Sequence, residues 1–241
     1  MYAEPFVGMG GVFLRRPTRA KVEVINDWSR DVSNFFRVLQ RHYVAFLEMI
    51  RFQLTTRAEF ERLAATDPDT LTDLERAARF LYLQRVGYGG RVAGRSFGLS
   101  RTTAGRFDIT KLAPMLEDLH TRLAGVVIER LPYAEFITRY DRDGALFFLD
   151  PPYWGNEGDY GAGMFSRSDF EAIAELLAGI KGRFIATIND KPEIRRLFGS
   201  FRIEPAKTTY SIGAASGSDN AEILIISNVA GCCESEIRDQ K

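Results

Sequence analysis

The chain has 241 residues, 45% of them hydrophobic, with 32 basic and 32 acidic side chains. That supplies a core for one α/β domain with an insertion, or for one large and one small domain, and the zero net charge excludes a globally basic nucleic-acid binder, so any such affinity must come from local clustering. The two cysteines are the adjacent pair Cys232-Cys233, which gives no disulfide framework and no metal-ligand spacing, and no apolar run approaches the ~20 residues needed to span a bilayer.

Taken in order, Tyr2 to Val7 reads as a strand interrupted by Pro5, followed by the turn Gly8-Met9-Gly10-Gly11 and a short helix at Val12-Phe13-Leu14. Glycines there let a backbone turn tightly and approach a bound cofactor. The opening Tyr2-Ala3-Glu4-Pro5 has no signal-peptide pattern, which suits a cytoplasmic protein. Lys21 to Asn26 reads as a second strand with Asp27 at its carboxyl end, about 20 residues after the glycines. An acidic residue so placed either accepts from ribose hydroxyls or caps the next helix.

From Arg30 to about Phe52, the apolar residues Phe35, Leu39, Tyr43, Phe46, Leu47 and Ile50 recur at helical spacing and predict one helix. Thr56–Ala65 and Leu71–Gln84 predict two more. These three helices, where a βαβ crossover needs one, mark an insertion. His42 and His120 fall in helical segments and are read as structural. The stretch 85–106 carries Arg85, Arg91, Arg95, Arg101 and Arg106 and no acidic residue. Glycines at 87, 89, 90, 94 and 98 argue against a helix, and Tyr88 and Phe97 are interleaved. Such a loop or hairpin either contacts phosphates and stacks on bases or is a solvated connector.

Asp108–Leu123 returns to helix, Val126–Ile128 is a short strand, and Tyr133–Tyr140 is a brief helix. Ala145–Leu149 is short and wholly apolar, which predicts a fully buried strand. Asp150-Pro151-Pro152-Tyr153 stops it, because neither proline can donate to a ladder. The prolines hold a carboxylate, a carbonyl and an aromatic ring at the strand's carboxyl end, where open α/β sheets bind ligands. A glycine-rich loop follows. Ser168-Asp169-Phe170-Glu171 has a capping-box pattern and opens a helix to about Ile180. Arg183–Ile188, Phe201–Glu204 and Glu222–Ser227 are the remaining strands, with Asp190 placed to cap the helix near Pro192.

Glu4-Pro5-Phe6-Val7-Gly8-Met9-Gly10-Gly11-Val12-Phe13, then Asn26-Asp27, then Asp150-Pro151-Pro152-Tyr153 resemble the DNA adenine methylase family, the D12-class N6-adenine methyltransferases. The resemblance implies an α/β fold: a Rossmann-like seven-stranded methyltransferase sheet with a helical target-recognition insertion after the second strand. Residues 1–29 and 108–230 would bind S-adenosylmethionine and carry catalysis. Residues 30–107 would recognise double-stranded DNA, and 231–241 would be a polar tail. Asp150, Pro151, Pro152 and Tyr153 would be catalytic. Glu4, Pro5, Phe6, Gly8, Gly10, Asp27, Glu135, Phe136 and Asp150 would hold the cofactor. Arg85, Tyr88, Arg91, Arg95, Arg101 and Arg106 would contact DNA. The implied protein is a monomeric, metal-free enzyme without membrane attachment, of the restriction–modification or prophage kind.

Two differences from the family set further expectations. Family members carry an N-terminal segment with a Trp and a Gly-Gly-Lys pattern that encloses the methionine end of the cofactor, and this sequence starts at the glycine-motif strand, so a shortened cofactor site with impaired turnover is expected. Glu135-Phe136 stands where the family often has Asp-Phe. Two other readings remain open on the residues alone: an N-methyltransferase acting on RNA adenine or protein glutamine, and a catalytically impaired DNA-binding remnant.

Overall fold

A computed structural model describes residues 1–87, 97–98, 106–157, 163, 165–209 and 220–228. The chain divides into two compact units, one of residues 1–28 with 129–241 and one of residues 29–128. The second boundary lies beyond the residue 107 expected from the sequence, because the helix Ile109–Arg122 packs on the helices before it. His120 stacks on Tyr43, with ring centroids 5.0 Å apart, and its Nδ1 lies 2.8 Å from the Leu39 carbonyl oxygen.

The first unit carries a seven-stranded sheet, apart from Val127 and Ile128 of the edge strand, which fall within residues 29–128. In chain order its strands are β1 (Tyr2–Glu4), β2 (Glu23–Asn26), β3 (Val127–Glu129), β4 (Leu146–Leu149), β5 (Arg183–Asn189), β6 (Arg202–Thr209) and β7 (Asn220–Ser227). The sheet order is β3-β2-β1-β4-β5-β7-β6. β1 runs parallel to β2 and β4, and β4 parallel to β5, whereas β7 is antiparallel to β5 and β6. This is the expected α/β, Rossmann-like arrangement. β1 ends at Glu4 because Pro5 has no amide hydrogen, and β4 ends at Leu149 because Pro151 and Pro152 follow.

Alternate strand residues face one core. Ala3, Phe147, Leu149, Phe184, Ala186 and Ile188 pack against Phe136, Phe170, Ile173 and Ile194. The latter group lies on the α-helices Tyr133–Tyr140, Arg167–Ala178 and Pro192–Leu197 of this unit. β4 is therefore not fully buried as its composition suggests: Phe147 and Leu149 are covered, while Leu146 and Phe148 on the other face are half-buried. β6 continues through Pro205 to Thr209 because it is an edge strand, where a missing donor costs no ladder bond on the open side.

The second unit is helical: α1 (Arg30–Arg41), α2 (Tyr43–Ile50), α3 (Arg57–Ala65), α4 (Asp73–Val86) and α5 (Ile109–Arg122). The predicted single helix 30–52 is broken at His42, which leaves helical backbone at φ −125° and ψ 29°. Phe35, Leu39, Phe46 and Ile50 stay buried on both sides of the break. Phe35 meets Phe36, Phe46 and Phe80 at 5.8, 6.1 and 5.6 Å. Arg76 donates to Asp31, Asp69 and the Pro68 carbonyl, which ties the turn before α4 to α1. Thr72 and Glu75 form a reciprocal capping box at the start of α4. At its end, a Cβ on Gly87 would lie 2.7 Å from the Leu83 carbonyl oxygen, so only glycine allows the chain to leave there. No helix among the described residues is long and apolar enough to cross a membrane.

Candidate active site

From β1 the chain moves outward through β2 to β3, then returns to the far side of β1 with β4. The loops after β1 and β4 therefore part in opposite directions and leave a crevice at their carboxyl ends, the position at which such sheets bind ligands. Both sequence motifs lie on this edge.

The first loop is held by backbone and by two side chains from β2. The Val7 amide donates to the Asn26 carbonyl at 2.9 Å, and the Gly10 amide to the Val7 carbonyl at 2.7 Å. Gly8 and Gly10 have φ of +50° and +75°. A Cβ on Gly8 would meet nothing within 4 Å, so the requirement for glycine is conformational and the space beside the loop is left open. The Asp27 carboxylate accepts from the Gly8 amide at 2.9 Å. The helix-capping reading of Asp27 is thereby corrected: the N-cap of α1 is Ser29.

Asn26, almost wholly buried, uses both ends of its amide. Its Nδ2 donates to the Pro5 carbonyl at 2.9 Å and the Leu131 carbonyl at 3.1 Å, and its Oδ1 accepts from the Leu131 amide at 2.8 Å. Glu4 is also buried and accepts from the Tyr2 hydroxyl at 2.5 Å. Burial first, and the Glu4 charge second, hold the Tyr2 phenol well above its ordinary pKa, so it stays a donor. Arg16 lies over the Tyr2 ring at 3.6 Å and pairs with Glu23 at 3.2 Å.

The second loop begins at Asp150, whose side chain is exposed while Pro151 and Pro152 are buried and Tyr153 is half-buried. The β4–β5 register pairs Leu149 with Ala186, so the next step sets Asp150 beside Thr187. The Thr187 hydroxyl donates to Asp150 Oδ1 at 2.8 Å. Two residues on, Asn189 Oδ1 accepts from the Trp154 amide at 2.8 Å and Nδ2 donates to the Trp154 carbonyl at 2.9 Å. β5 thus fixes both the carboxylate and the backbone that follows it. The Trp154 ring rests on Phe170 at 5.2 Å, under the Arg167 guanidinium at 5.3 Å.

The other expected site residues are placed as follows. Phe6 is half-buried against Tyr133 and Phe165, with centroids 5.6 and 6.1 Å away. The Tyr133 hydroxyl donates to Asp169 at 2.8 Å. Asp169 also forms the capping box of the helix Arg167–Ala178, with Ser166 rather than with the expected Ser168 and Glu171. Burial pushes its carboxyl up, but hydrogen bonds from Ser166 and Tyr133 outweigh this and leave it below its ordinary value. Asp190 pairs with Arg195, and Lys191 is the N-cap there. Glu135 is exposed and accepts from Arg139 at 2.7 Å. Phe136 lies wholly inside the core. In the helical unit, Arg106 is exposed and Arg85 half-buried, while Tyr88, Arg91, Arg95 and Arg101 lie outside the described residues. Among the described residues no group of three or more His, Cys, Asp or Glu side chains could hold a metal.

Sequence reading missed Asn26, Thr187 and Asn189 as site residues. Asn26 adjoins a recognised position. The two β5 residues, by contrast, act across a strand pairing that has no local signature. Chemically, the crevice offers a held carboxylate beside a proline carbonyl and an aromatic ring. Beside it lies a glycine turn braced by a second carboxylate.

A family model described as D12 class N6 adenine-specific DNA methyltransferase matches residues 1–212. The DNA N-6-adenine-methyltransferase of Escherichia phage P1 is 28% identical over 225 residues, 87% of this chain and 29% of the phage protein. A type II methyltransferase of Lactococcus lactis subsp. cremoris is 24% identical over 241 residues, 90% of this chain and 82% of its own length. The DNA adenine methylase of Escherichia coli (strain K12) is 25% identical over 236 residues, 89% of this chain and 81% of its own length.

Proposed function

We infer the reaction from a family membership: the chain belongs to the D12 class N6 adenine-specific DNA methyltransferases. Within that class, our reading is transfer of a methyl group from S-adenosylmethionine to N6 of an adenine flipped out of duplex DNA. The observation that carries it is the Asp150 carboxylate, presented at the end of β4 beside the Pro151 carbonyl and oriented by Thr187.

The lone pair of an adenine amino group is conjugated into the ring, so the nitrogen is a poor nucleophile. Two acceptors for its two hydrogens, the Asp150 carboxylate and the Pro151 carbonyl, pull it towards sp³ and stabilise the positive charge that develops there. Tyr153 supplies a face for the base to stack on. The sulfonium of the cofactor brings a methyl group already activated for in-line transfer. The chain's remaining task is positioning. The open, positive-φ turn at Gly8 and the brace at Asp27 suit a ligand rich in hydroxyl groups, with Asp27 accepting from ribose. A stacked base cannot reach this crevice, and methyltransferases solve that by extruding it. The arginine-rich stretch 85–106 in the helical unit fits the role of duplex contact, and the first unit that of the cofactor-binding body. A monomer working in the cytoplasm completes the reading.

Incubation with methyl-labelled S-adenosylmethionine and duplex DNA, RNA or protein tests the substrate class. Label is expected as N6-methyladenine in duplex DNA, and label confined to RNA or to glutamine amides would replace this reading. Asp27→Ala is expected to weaken cofactor binding by roughly 1.5–3 kcal/mol, the range for hydrogen bonds to a charged group, with duplex affinity unchanged. Equal cofactor affinity in calorimetry would reduce Asp27 to a brace for Gly8.

A further inference from the structure

The helical unit presents a second surface, one that the arginine-rich stretch does not include. Between α2 and α3 the chain turns at Arg51 and Phe52 and then runs without regular structure to Thr56. Gln53 and Thr55 turn inward: Gln53 Nε2 donates to Glu59 at 3.0 Å and Thr55 Oγ1 to the Phe107 carbonyl at 3.1 Å. Phe52 and Leu54 turn outward and are 81% and 69% exposed. Slack does not account for this exposure. The hydroxyl of Tyr82, itself buried, donates to the Leu54 and Thr56 carbonyls at 3.0 and 3.2 Å, so the backbone beneath is pinned to the core.

Three arginines lie close to these residues in the sequence. Arg51 lies 5.4 Å over the Phe52 ring but pairs with Glu48, and Arg62 pairs with Glu59. Arg57 has no carboxylate pair among the described residues. Its guanidinium sits 5.0 Å over the ring of Phe97. Phe97 packs on Phe60 at 5.6 Å and forms an antiparallel bridge with Gly87. Through Phe97, Arg57 is thereby linked to the end of α4 at Gly87. Two exposed apolar side chains, with a nearby exposed arginine that pairs with no carboxylate among the described residues, match the mixture of phosphate contact and apolar contact used on nucleic acids.

We propose that Phe52, Leu54 and Arg57 form part of the duplex-DNA interface, Arg57 on a backbone phosphate and Phe52 and Leu54 against sugar and base edges. The inference rests on the methyltransferase reading for the identity of its partner. All three residues are exposed and none belongs to the buried core, so their replacement spares the fold.

Fluorescence anisotropy of a labelled duplex with the full chain, across a salt series, tests it. Arg57→Ala should weaken binding on every sequence and flatten the log–log salt dependence by about one unit, as loss of one phosphate contact does. Phe52→Ala should lower affinity at least fivefold with the slope unchanged. Both variants binding as the parent does, while the parent methylates DNA, would overturn this interface and leave the function intact. A parent that neither binds nor methylates duplex DNA would overturn both. Light scattering that shows a dimer lost on Phe52→Ala would assign the surface to self-association and also overturn the proposal.

Discussion

Asp150→Ala is expected to give a folded protein whose methyl transfer is slower by ~10²-fold or more, the scale on which removing one charge-stabilising partner acts in such sites. The fold should survive because the Asp150 side chain is exposed, and its strand is terminated by the two prolines. What disappears is the only carboxylate in that turn. Cofactor affinity should change far less than kcat, since the acceptor works on the amino group in the transition state. Thr187→Val provides the graded companion. It leaves the carboxylate in place but removes the 2.8 Å hydrogen bond that orients it. About a tenfold loss in kcat follows from the ~1.5 kcal/mol at the low end for a hydrogen bond to a charged group, and Thr187→Ser should restore it. Single-turnover methylation of a labelled duplex measures both. Turnover of Asp150→Ala within a few-fold of the parent would sink the assignment of Asp150.

Asn26→Ala is expected to be the most damaging small change outside the hydrophobic core. The side chain is 1% exposed and joins three backbone groups, the Pro5 and Leu131 carbonyls and the Leu131 amide. Alanine leaves all three without that partner. At ~1–3 kcal/mol for each unsatisfied buried group, partly relieved by relaxation and entering water, a loss on the order of 3 kcal/mol results. For a chain of this size that corresponds to roughly 6–12 °C in Tm. Asn26→Asp should be no better at neutral pH, because it turns an oxygen towards two carbonyl oxygens. Cofactor affinity should fall in both variants even well below Tm, since Asn26 anchors the loop that carries Gly8. Melting followed by circular dichroism decides: a shift under 2 °C would show that Asn26 carries no such load.

What the sequence made legible is what short-range chemistry enforces. Pro151 and Pro152 end β4, so that strand and the motif after it could be placed from the residues alone, whereas the first strand was expected to continue past Pro5 to Val7 and stops at Glu4. Tyr133–Tyr140 matched its helix at both ends. The break at His42 was not legible, because the buried positions on either side keep the same helical phase and no glycine or proline marks it. The end of β6 was misplaced at Glu204, because Pro205 reads as a stop until the strand is known to lie at an edge. The capping box was assigned to Ser168 and Glu171 on pattern, whereas Ser166 and Asp169 supply the same pair of bonds with a shorter acid. In the candidate site, Asp150 belongs to a motif visible in the sequence, whereas Thr187 and Asn189 belong to none. Their role exists only once β5 is aligned beside β4, and that alignment is set by packing across the whole sheet.

That alignment also makes the Asp150 turn a gauge of folding fidelity. Thr187 and Asn189 are two residues apart on one strand, and both reach the chain that leaves β4. Side-chain direction alternates with a period of two, so a slip of β5 by one residue would turn both away at once and bring Ile188 to the carboxylate. A chain trapped in that register could keep its helices, its compactness and most of its spectroscopic signature. It would lack the oriented carboxylate and the braced turn together. Specific activity after refolding, compared with the helical signal of the same sample, therefore counts the fraction of molecules in the correct register, which bulk structural signals do not separate.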